Sequence, residues 1–287
     1  MASTWNWVKN TRRSDMKVYI LSDMEGTAGV TIWDQVDSGH PKYQSARKWM
    51  TLEINAAAEG AFAAGATLVL VHDAHLAEHN LDLDLLDPRV EYIMGSGISS
   101  WAELDGSFDV LFQIGAHAKV GTAEANLRHT WDPNSWVDLQ INGITLGEVG
   151  LIAAGAGDVG VPCVLVSGDD KACMEMVSLI PNVIQAPVKK GLGWQSARCL
   201  PLLAARDLIR ERAKEACCST GTVVPFQPAK GLIEIKVRTL AEKHETYYAS
   251  SHEANDLLSE KLMEQSGTGT TVQKAFEAAL KAVPRPL

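Results

Sequence analysis

The chain has 287 residues, 46% of them hydrophobic and 21% charged, proportions that exclude a disordered or fibrous protein and are typical of a globular one. Its formal net charge is −9 and it contains no basic run, so nucleic acid and anionic membrane surfaces are poor partners. No stretch of about 18 uninterrupted apolar residues is present, so the sequence predicts no membrane-spanning segment.

Short apolar runs alternate with helical patterns along residues 16–190, which predicts an α/β fold with a mostly parallel sheet flanked by helices. The Asn142-Gly143 pair lies between β-favouring residues and predicts a tight hairpin within residues 139–146. The predicted strands of this region are residues 17–22, 66–71, 109–114, 162–167 and 182–188, and the predicted helices are residues 46–65, 148–156 and 196–216.

The pattern changes after about residue 225. Residues 232–237 alternate like a half-buried strand, residues 266–270 predict a Gly/Thr turn, and residues 271–283 have the spacing of an amphipathic helix. We therefore expect three parts, which are an N-terminal extension over 1–15, a main α/β metal-binding domain over 16–190, and a smaller α+β portion over 191–287 that packs on it.

The N-terminal segment and the cysteines favour a cytoplasmic protein. Residues 1–14 contain basic residues but no following apolar stretch, so they do not match a secretory signal. The five cysteines are odd in number and show no C-x-x-C pair, which is typical of reduced thiols.

Acidic and imidazole side chains follow three of the predicted strands. Asp23 and Glu25 come directly after the first strand, His75 after the second and His117 after the third. Because the carboxyl ends of parallel strands form the crevice where ligands bind, we expect these side chains at one edge of the sheet. Glu148, at the start of a predicted helix, can join them from the segment after the hairpin.

Each of these residues also has an ordinary structural interpretation. An aspartate after a strand commonly caps a turn or helix, a histidine near a strand end is commonly a surface or core residue, and Glu148 is a favourable charge in a first helical turn. Such interpretations must hold independently at four places in the chain to explain the pattern. A shared site explains it with one assumption.

Five ligands are too many for one catalytic zinc ion, which usually has three protein ligands and a water. If Asp23 bridges two ions, then Asp23, Glu25, His75, His117 and Glu148 make six bonds, three to each ion. Such a pair activates a hydroxide at neutral pH and polarises the carbonyl that it attacks. The sequence therefore predicts a metallohydrolase with two divalent ions, for which zinc is the expected metal, acting on an amide.

His129 is the candidate catalytic residue. It follows His117 through a Gly/Ala-rich loop, and loops over a crevice commonly carry catalytic groups. Its imidazole can stabilise an oxyanion or donate a proton to a leaving amine. The alternative is a solvated loop histidine.

Five short motifs carry a family resemblance. They are Ser22-Asp23-x-Glu25-Gly26, Asp73-x-His75, Gly115-x-His117-Ala118, Gly147-Glu148-x-Gly150 and Gly168-Asp169-Asp170. Together they resemble the zinc-dependent DppA-type D-aminopeptidases, over roughly residues 16–280. The resemblance implies a two-zinc centre on the five ligands named above, with His129 as the catalytic histidine. It also implies a peptide or amide substrate and a ring-shaped homo-oligomer, a decamer among the possible rings, with active sites facing an enclosed channel.

Three alternatives stay open at this point. Trp131 and Trp136, in the segment 120–136, leave room for a small non-peptide amide or another C–N bond as substrate. The run from Asp23 to Thr27 also resembles the haloacid-dehalogenase phosphatase signature, although Glu25 stands where that family needs a second aspartate. The last alternative is an oligomeric metal-binding scaffold without turnover.

Overall fold

The computed structural model describes residues 15–76, 79–97, 99–242, 244, 248–257 and 260–286. The expected N-terminal extension, with Trp5 and Trp7, lies outside the described residues apart from Asp15. The strands in chain order are β1 Met16–Ser22, β2 Ala66–Asp73, β3 Glu91–Ile93, β4 Val110–Ala116, β5 Trp136–Ile141, β6 Ile144–Thr145, β7 Cys163–Asp169, β8 Ile184–Gly193, β9 Ser196–Cys199, β10 Ile233–Leu240, β11 Leu262–Gly269 and β12 Arg285–Pro286. The helices are α1 Tyr43–Ala63, α2 Glu148–Asp158, α3 Asp170–Leu179, α4 Leu202–Cys218, α5 Tyr248–Ser251, α6 Ala254–Leu257 and α7 Val272–Lys281.

The larger sheet has the strand order β3-β2-β1-β4-β7-β8-β9 and is parallel except for the β8–β9 pair. Strands β4 and β7 are buried along their whole length, as expected for parallel strands covered on both faces. Helices α1 and α4 pack on each other and on this sheet, while α2 and α3 pack together and also contact it. The predicted α/β fold with a mostly parallel sheet flanked by helices is confirmed.

The smaller sheet is antiparallel, with the order β12-β11-β10-β5-β6. Its β5–β6 hairpin turns at Asn142 and Gly143, both of which have positive φ, so the predicted tight hairpin is confirmed. The predicted domain boundary at residue 190 does not separate the two sheets. Strand β9 follows it but belongs to the larger sheet, and β5 and β6 precede it but belong to the smaller sheet. The division of the chain into domains stays a prediction.

The predicted helix over residues 196–216 is wrong in its first turn and a half. Residues Ser196–Cys199 form strand β9, which pairs antiparallel with β8, and the helix begins only at Leu202. Pro201 explains the difference, since a proline drives the preceding residue away from helical backbone angles. The helix therefore starts after the proline.

The predicted turn over residues 266–270 is also wrong for most of its length. Leu262–Gly269 is strand β11, paired with β10 from Leu240 to Ile233. Gly267 is present for packing, because a Cβ atom there would lie 2.1 Å from the Ala279 nitrogen in helix α7. A glycine in a strand that a helix approaches closely gives the same sequence signal as a turn glycine.

The strand order of the larger sheet changes direction at β1. Strands β2 and β3 lie on one side of β1, and β4, the next strand in the sequence, pairs with β1 on its other side. Ligand crevices in such sheets form at the carboxyl ends of the strands flanking this point. There the Asp23 amide donates to the Ile114 carbonyl (2.8 Å) and the Gly26 amide to the Gly115 carbonyl (2.7 Å). A Cβ atom at Gly26 or Gly115 would lie about 2 Å from a backbone oxygen of the opposite segment, so glycine is required at both.

Among the described residues, no helix has both the length and the apolar character needed to cross a bilayer.

Candidate metal centre

The structure brings all six predicted site residues to the carboxyl edge of the larger sheet. Asp23 and Glu25 follow β1, His75 follows β2, and His117 follows β4. Glu148 is the first residue of α2, and His129 lies in the loop between β4 and β5. The expectation that these segments converge is therefore fulfilled.

One half of the site is formed by Asp23, Glu25 and His75. The Nδ1 atom of His75 lies 3.1 Å from Oδ1 of Asp23 and 3.0 Å from Oε2 of Glu25. His75 and Glu25 are buried. Oε2 of Glu25 has no hydrogen bond among the described residues, since its approach to His75 lacks hydrogen-bond geometry. A buried carboxylate oxygen in that position favours a positive charge beside it, which a protonated His75 or a metal ion can supply.

The other half is formed by Asp23, His117 and Glu148, with His129 beside them. The Nε2 atom of His117 lies 3.3 Å from Oδ2 of Asp23 and 3.5 Å from Oε1 of Glu148. Nε2 of His129 lies 3.8 Å from the same Glu148 oxygen. The His117 and His129 rings stack with centroids 3.9 Å apart. Asp23 thus presents one carboxylate oxygen to each half.

Backbone carbonyls fix which nitrogen of each imidazole faces the site. His75 has Nε2 3.0 Å from the Val36 carbonyl, and His117 has Nδ1 3.0 Å from the carbonyl of Ala118. A carbonyl only accepts, so these nitrogens carry the protons, and in the neutral rings the nitrogens that face the carboxylates carry lone pairs. Imidazoles that bind metals are oriented in this way by their second nitrogen.

The spacing of these atoms fits zinc. Ligand atoms at about 2.0–2.1 Å from a tetrahedral zinc ion lie about 3.3 Å from one another. The four distances within the two halves run from 3.0 to 3.5 Å. Ligand-type atoms of Asp23, Glu25 and His117 also lie within 4.8 Å of one another, as do those of His117, His129 and Glu148.

The charges of the site make it strongly attractive to cations. Burial would lower the pKa of the His117 imidazole, but the carboxylates of Glu148 and Asp23 outweigh it and raise that pKa to about 10. The pKa of His75 is likewise raised well above its usual value against the effect of burial, by Glu25 and Asp23. Burial alone would raise the pKa of Asp23, yet the two imidazoles hold it well below its usual range. A potential that favours protons here also favours metal ions in their place.

His129 differs electrostatically from the other two imidazoles. Burial and the nearby positive charge of His117 lower its pKa. Its Nδ1 donates to the Leu127 carbonyl (3.0 Å), so the neutral ring has its lone pair on Nε2. The ring is therefore a neutral proton acceptor at the edge of the site at pH 7.

A pocket of about 530 Å³ opens beside the two halves. Its wall includes the site residues Asp23, Glu25, His75, His129 and Glu148. The other lining residues are Trp33, Val36, Asp37, Ala74, Leu76, Trp131, Asp132, Pro133 and Asn134. The volume lies within the range of pockets that hold small-molecule ligands.

Two charged residues outside the predicted site, the buried Lys189 and the half-buried Glu175, fix the segments that carry it. Lys189, in β8, donates from Nζ to the carbonyl of Glu25, to the Val30 carbonyl (2.7 Å) and to Oδ1 of Asn126 (2.9 Å). Glu175, in α3, accepts hydrogen bonds from the amides of Gly147 (2.6 Å) and Lys119 (3.1 Å). No local pattern marks these residues, because their partners are distant in sequence.

Other polar residues near the motifs have structural roles. His72 lies in the core with Nδ1 3.0 Å from the Tyr19 hydroxyl, and burial lowers its pKa to about 4. Asp169 caps helix α3 through the Lys171 amide, and Asp170 accepts from the amide of Gly191.

Comparisons with known proteins extend over the same region. A family model described as D-aminopeptidase matches residues 16–276. A D-aminopeptidase of Bacillus subtilis strain 168 is 35% identical over 222 residues, which cover 74% of this chain and 78% of that protein. A solved structure, the Zn-dependent D-aminopeptidase DppA from Bacillus subtilis, described as a self-compartmentalizing protease, matches with a TM-score of 0.81. The match has 28% sequence identity and covers 92% of this chain and 96% of that one.

The family match includes every motif from Ser22 to Asp170, so the resemblance inferred from those motifs is confirmed. It favours this family over the haloacid-dehalogenase phosphatases. The chain belongs to the D-aminopeptidase family of hydrolases.

Proposed function

We propose that the chain is a D-aminopeptidase that depends on two zinc ions and releases the N-terminal residue of a peptide or amide. The observation that carries this proposal is the position of Asp23, whose two oxygens face the two halves of the site at 3.1 Å and 3.3 Å from an imidazole nitrogen. A carboxylate placed in this way suits a bridge between two ions. The zinc dependence of the similar Bacillus subtilis protein supports the choice of metal.

In this proposal Asp23, Glu25 and His75 hold one ion, and Asp23, His117 and Glu148 hold the other. Zinc ions bound there would supply a water made nucleophilic at neutral pH and would polarise the scissile carbonyl. The chain contributes the fixed directions of the ligands, because the carbonyls of Val36 and Ala118 orient the two imidazoles.

His129 is the proposed catalytic residue. Its lowered pKa leaves Nε2 unprotonated, which favours proton transfer over oxyanion binding by an imidazolium. Nε2 accepts the proton that the attacking water loses and then donates it to the nitrogen of the leaving amine. The Leu127 carbonyl holds the ring in the tautomer that this transfer requires.

We also propose a cytoplasmic homo-oligomer, with a decameric ring as the expected assembly. The description of the similar solved structure as a self-compartmentalizing protease supports an assembly that encloses its active sites. The cysteine pattern, with no C-x-x-C pair, supports the reducing compartment. Native mass spectrometry of the purified chain should give a closed oligomer, and a monomer at micromolar concentration would contradict this part of the proposal.

Hydrolysis assays on the zinc-loaded full chain test the activity. We expect turnover of D-aminoacyl amides and D-dipeptides, loss of turnover with a chelator, and no turnover of the matched N-acetylated compounds. Turnover confined to aryl amides without an α-amino group would support a small-amide hydrolase instead. Turnover of a phosphate ester with magnesium would support the phosphatase alternative, and full zinc loading without any hydrolysis would support the scaffold.

A further inference from the structure

The pocket beside the site has aromatic side chains in its wall. Trp33 and Trp131 both line it, together with the apolar residues Val36, Leu76 and Pro133. Its volume of about 530 Å³ leaves most of the space to water if the bound residue has only a methyl side chain. The lining therefore suits a larger side chain with flat faces.

Trp131 is held rigidly relative to the metal ligands. Its backbone has φ +58°, a left-handed conformation that is uncommon for a tryptophan, and its amide donates to Oε1 of Glu148 (2.7 Å). Its indole packs edge-on against Phe276 with centroids 4.8 Å apart and stacks with Trp136 at 6.3 Å. Strain of this kind persists where the surroundings enforce it, commonly at functional sites. The half-buried indole is thus a fixed wall beside Glu148.

Trp33 is fixed close to the catalytic imidazole. It is 8% exposed, its amide donates to Oε1 of Gln195 (2.7 Å), and its indole stacks with Trp194. Its ring meets the His129 ring edge-on with centroids 5.3 Å apart. An aromatic side chain that packs against a rigid indole gains apolar contact and favourable ring–ring geometry.

The charges of the pocket select for a basic amine. Asp37 and Asp132 line it in addition to the carboxylates of the site. Among the described residues that line it, none is a lysine or arginine. A bound molecule with a free amino group is therefore favoured over one with a free carboxylate close to the pocket.

We propose that the pocket binds the side chain of an aromatic N-terminal residue and that Trp131 determines this specificity. The inference rests on the proposed aminopeptidase function and names its substrate class, which is aminoacyl amides and peptides that begin with an aromatic D-residue. Trp131 acts through the face of its indole, while its backbone amide keeps Glu148 in place.

The test compares kcat/KM of the zinc-loaded full chain for D-phenylalaninamide and D-alaninamide. We expect a preference for the aromatic amide of about tenfold or more. Trp131→Ala should lower that preference ratio about tenfold, while Trp131→Phe should retain most of it, because both variants keep the backbone amide and differ only in the aromatic ring. Trp49→Leu is the matched control, since it removes a half-buried indole that does not line the pocket, and its ratio should stay unchanged.

Equal turnover of the two amides, or a ratio that Trp131→Ala leaves intact, would overturn the inference while the aminopeptidase function stands. If neither amide is hydrolysed, the proposed function fails, and calorimetric titration with D-phenylalaninol and D-alaninol decides the binding question separately. Tighter binding of D-phenylalaninol that Trp131→Ala abolishes would support the aromatic pocket. Equal affinities would refute it.

Discussion

The two halves of the candidate metal centre share Asp23 but are supported by groups of opposite charge. The ammonium of Lys189 holds the segment after β1 by its carbonyls, those of Glu25 and Val30. The carboxylate of Glu175 holds the other half by the amides of Lys119 and Gly147, which flank His117 and Glu148.

The difference follows from which backbone groups each segment leaves unpaired. Glu148 begins helix α2, and the first amides of a helix have no partner within it, so an anion satisfies the amide at Gly147. The loop after β1 turns carbonyls inward, so a cation satisfies them. The sign of the charge that supports each half therefore matches the unpaired backbone groups of that segment, which are carbonyls in one half and amides in the other.

The largest expected effect comes from removing a ligand unique to one half. His75→Ala and His117→Ala should each reduce zinc from two ions to one per chain and lower kcat/KM by more than about 100-fold, beyond what loss of an outer hydrogen bond costs. Elemental analysis and steady-state kinetics measure both quantities. Unchanged zinc content in His117→Ala would remove that residue from the site and contradict the division into two halves.

His129→Ala distinguishes a catalytic role of His129 from a metal-binding role beside His117 and Glu148. We expect full zinc content and a fall in kcat of about 10²–10⁴-fold, the usual contribution of a general acid–base group. Loss of one ion would instead make His129 a ligand together with His117 and Glu148, whose ligand-type atoms lie near its own.

Variants of Glu175 and Lys189 test whether each of these residues supports only one half of the site. Glu175→Gln should weaken the zinc affinity of the His117 and Glu148 half, and Lys189→Met that of the Glu25 half, each by about 10–100-fold. Chelator competition on chains that retain their melting temperature measures this. If either variant weakened the binding of both zinc ions equally, the two residues would not support the halves separately.

The last effect concerns stability and not the metal site. Glu53, a buried residue of helix α1, accepts a hydrogen bond from the Ala28 amide (2.9 Å). Burial raises its pKa from 4.5 to about 7 despite the nearby charges of Lys189 and Arg206. The folded state thus holds this proton more tightly than the unfolded chain, so its contribution to stability is present below pH 4.5 and is lost as pH rises through 7.

Glu53→Gln should remove this pH dependence. At pH 8 the variant should be more stable than the parent chain by up to about 3 kcal/mol, and near pH 4 the two should be alike. Urea unfolding at both pH values measures the difference, and equal stability of the two chains at pH 8 would show that Glu53 is charged without cost in the fold.

The sequence was sufficient to predict the strands that carry the site and the convergence of Asp23, His75, His117 and Glu148, because period and strand-end position are local signals. The sequence predictions were wrong where a glycine or a proline is compatible with more than one local structure. Gly267 serves packing where a turn was expected, and Pro201 divides a predicted helix.

The supporting residues Lys189 and Glu175 were beyond prediction for a different reason. Each lies far along the chain from the segments that it holds, and their hydrogen bonds to backbone groups leave no pattern in the side chains. Trp33 was missed likewise, since only folding brings it against His129.

The hydrogen bond from the Trp131 amide to Glu148 has a consequence for how such an enzyme can diverge or be redesigned. A change of side chain at this position alters the shape of the pocket and leaves the hydrogen bond in place. An insertion or deletion in the loop moves the amide and with it the carboxylate. New substrate preferences are therefore accessible by point substitution, whereas grafting a loop of another length should impair turnover of every substrate alike.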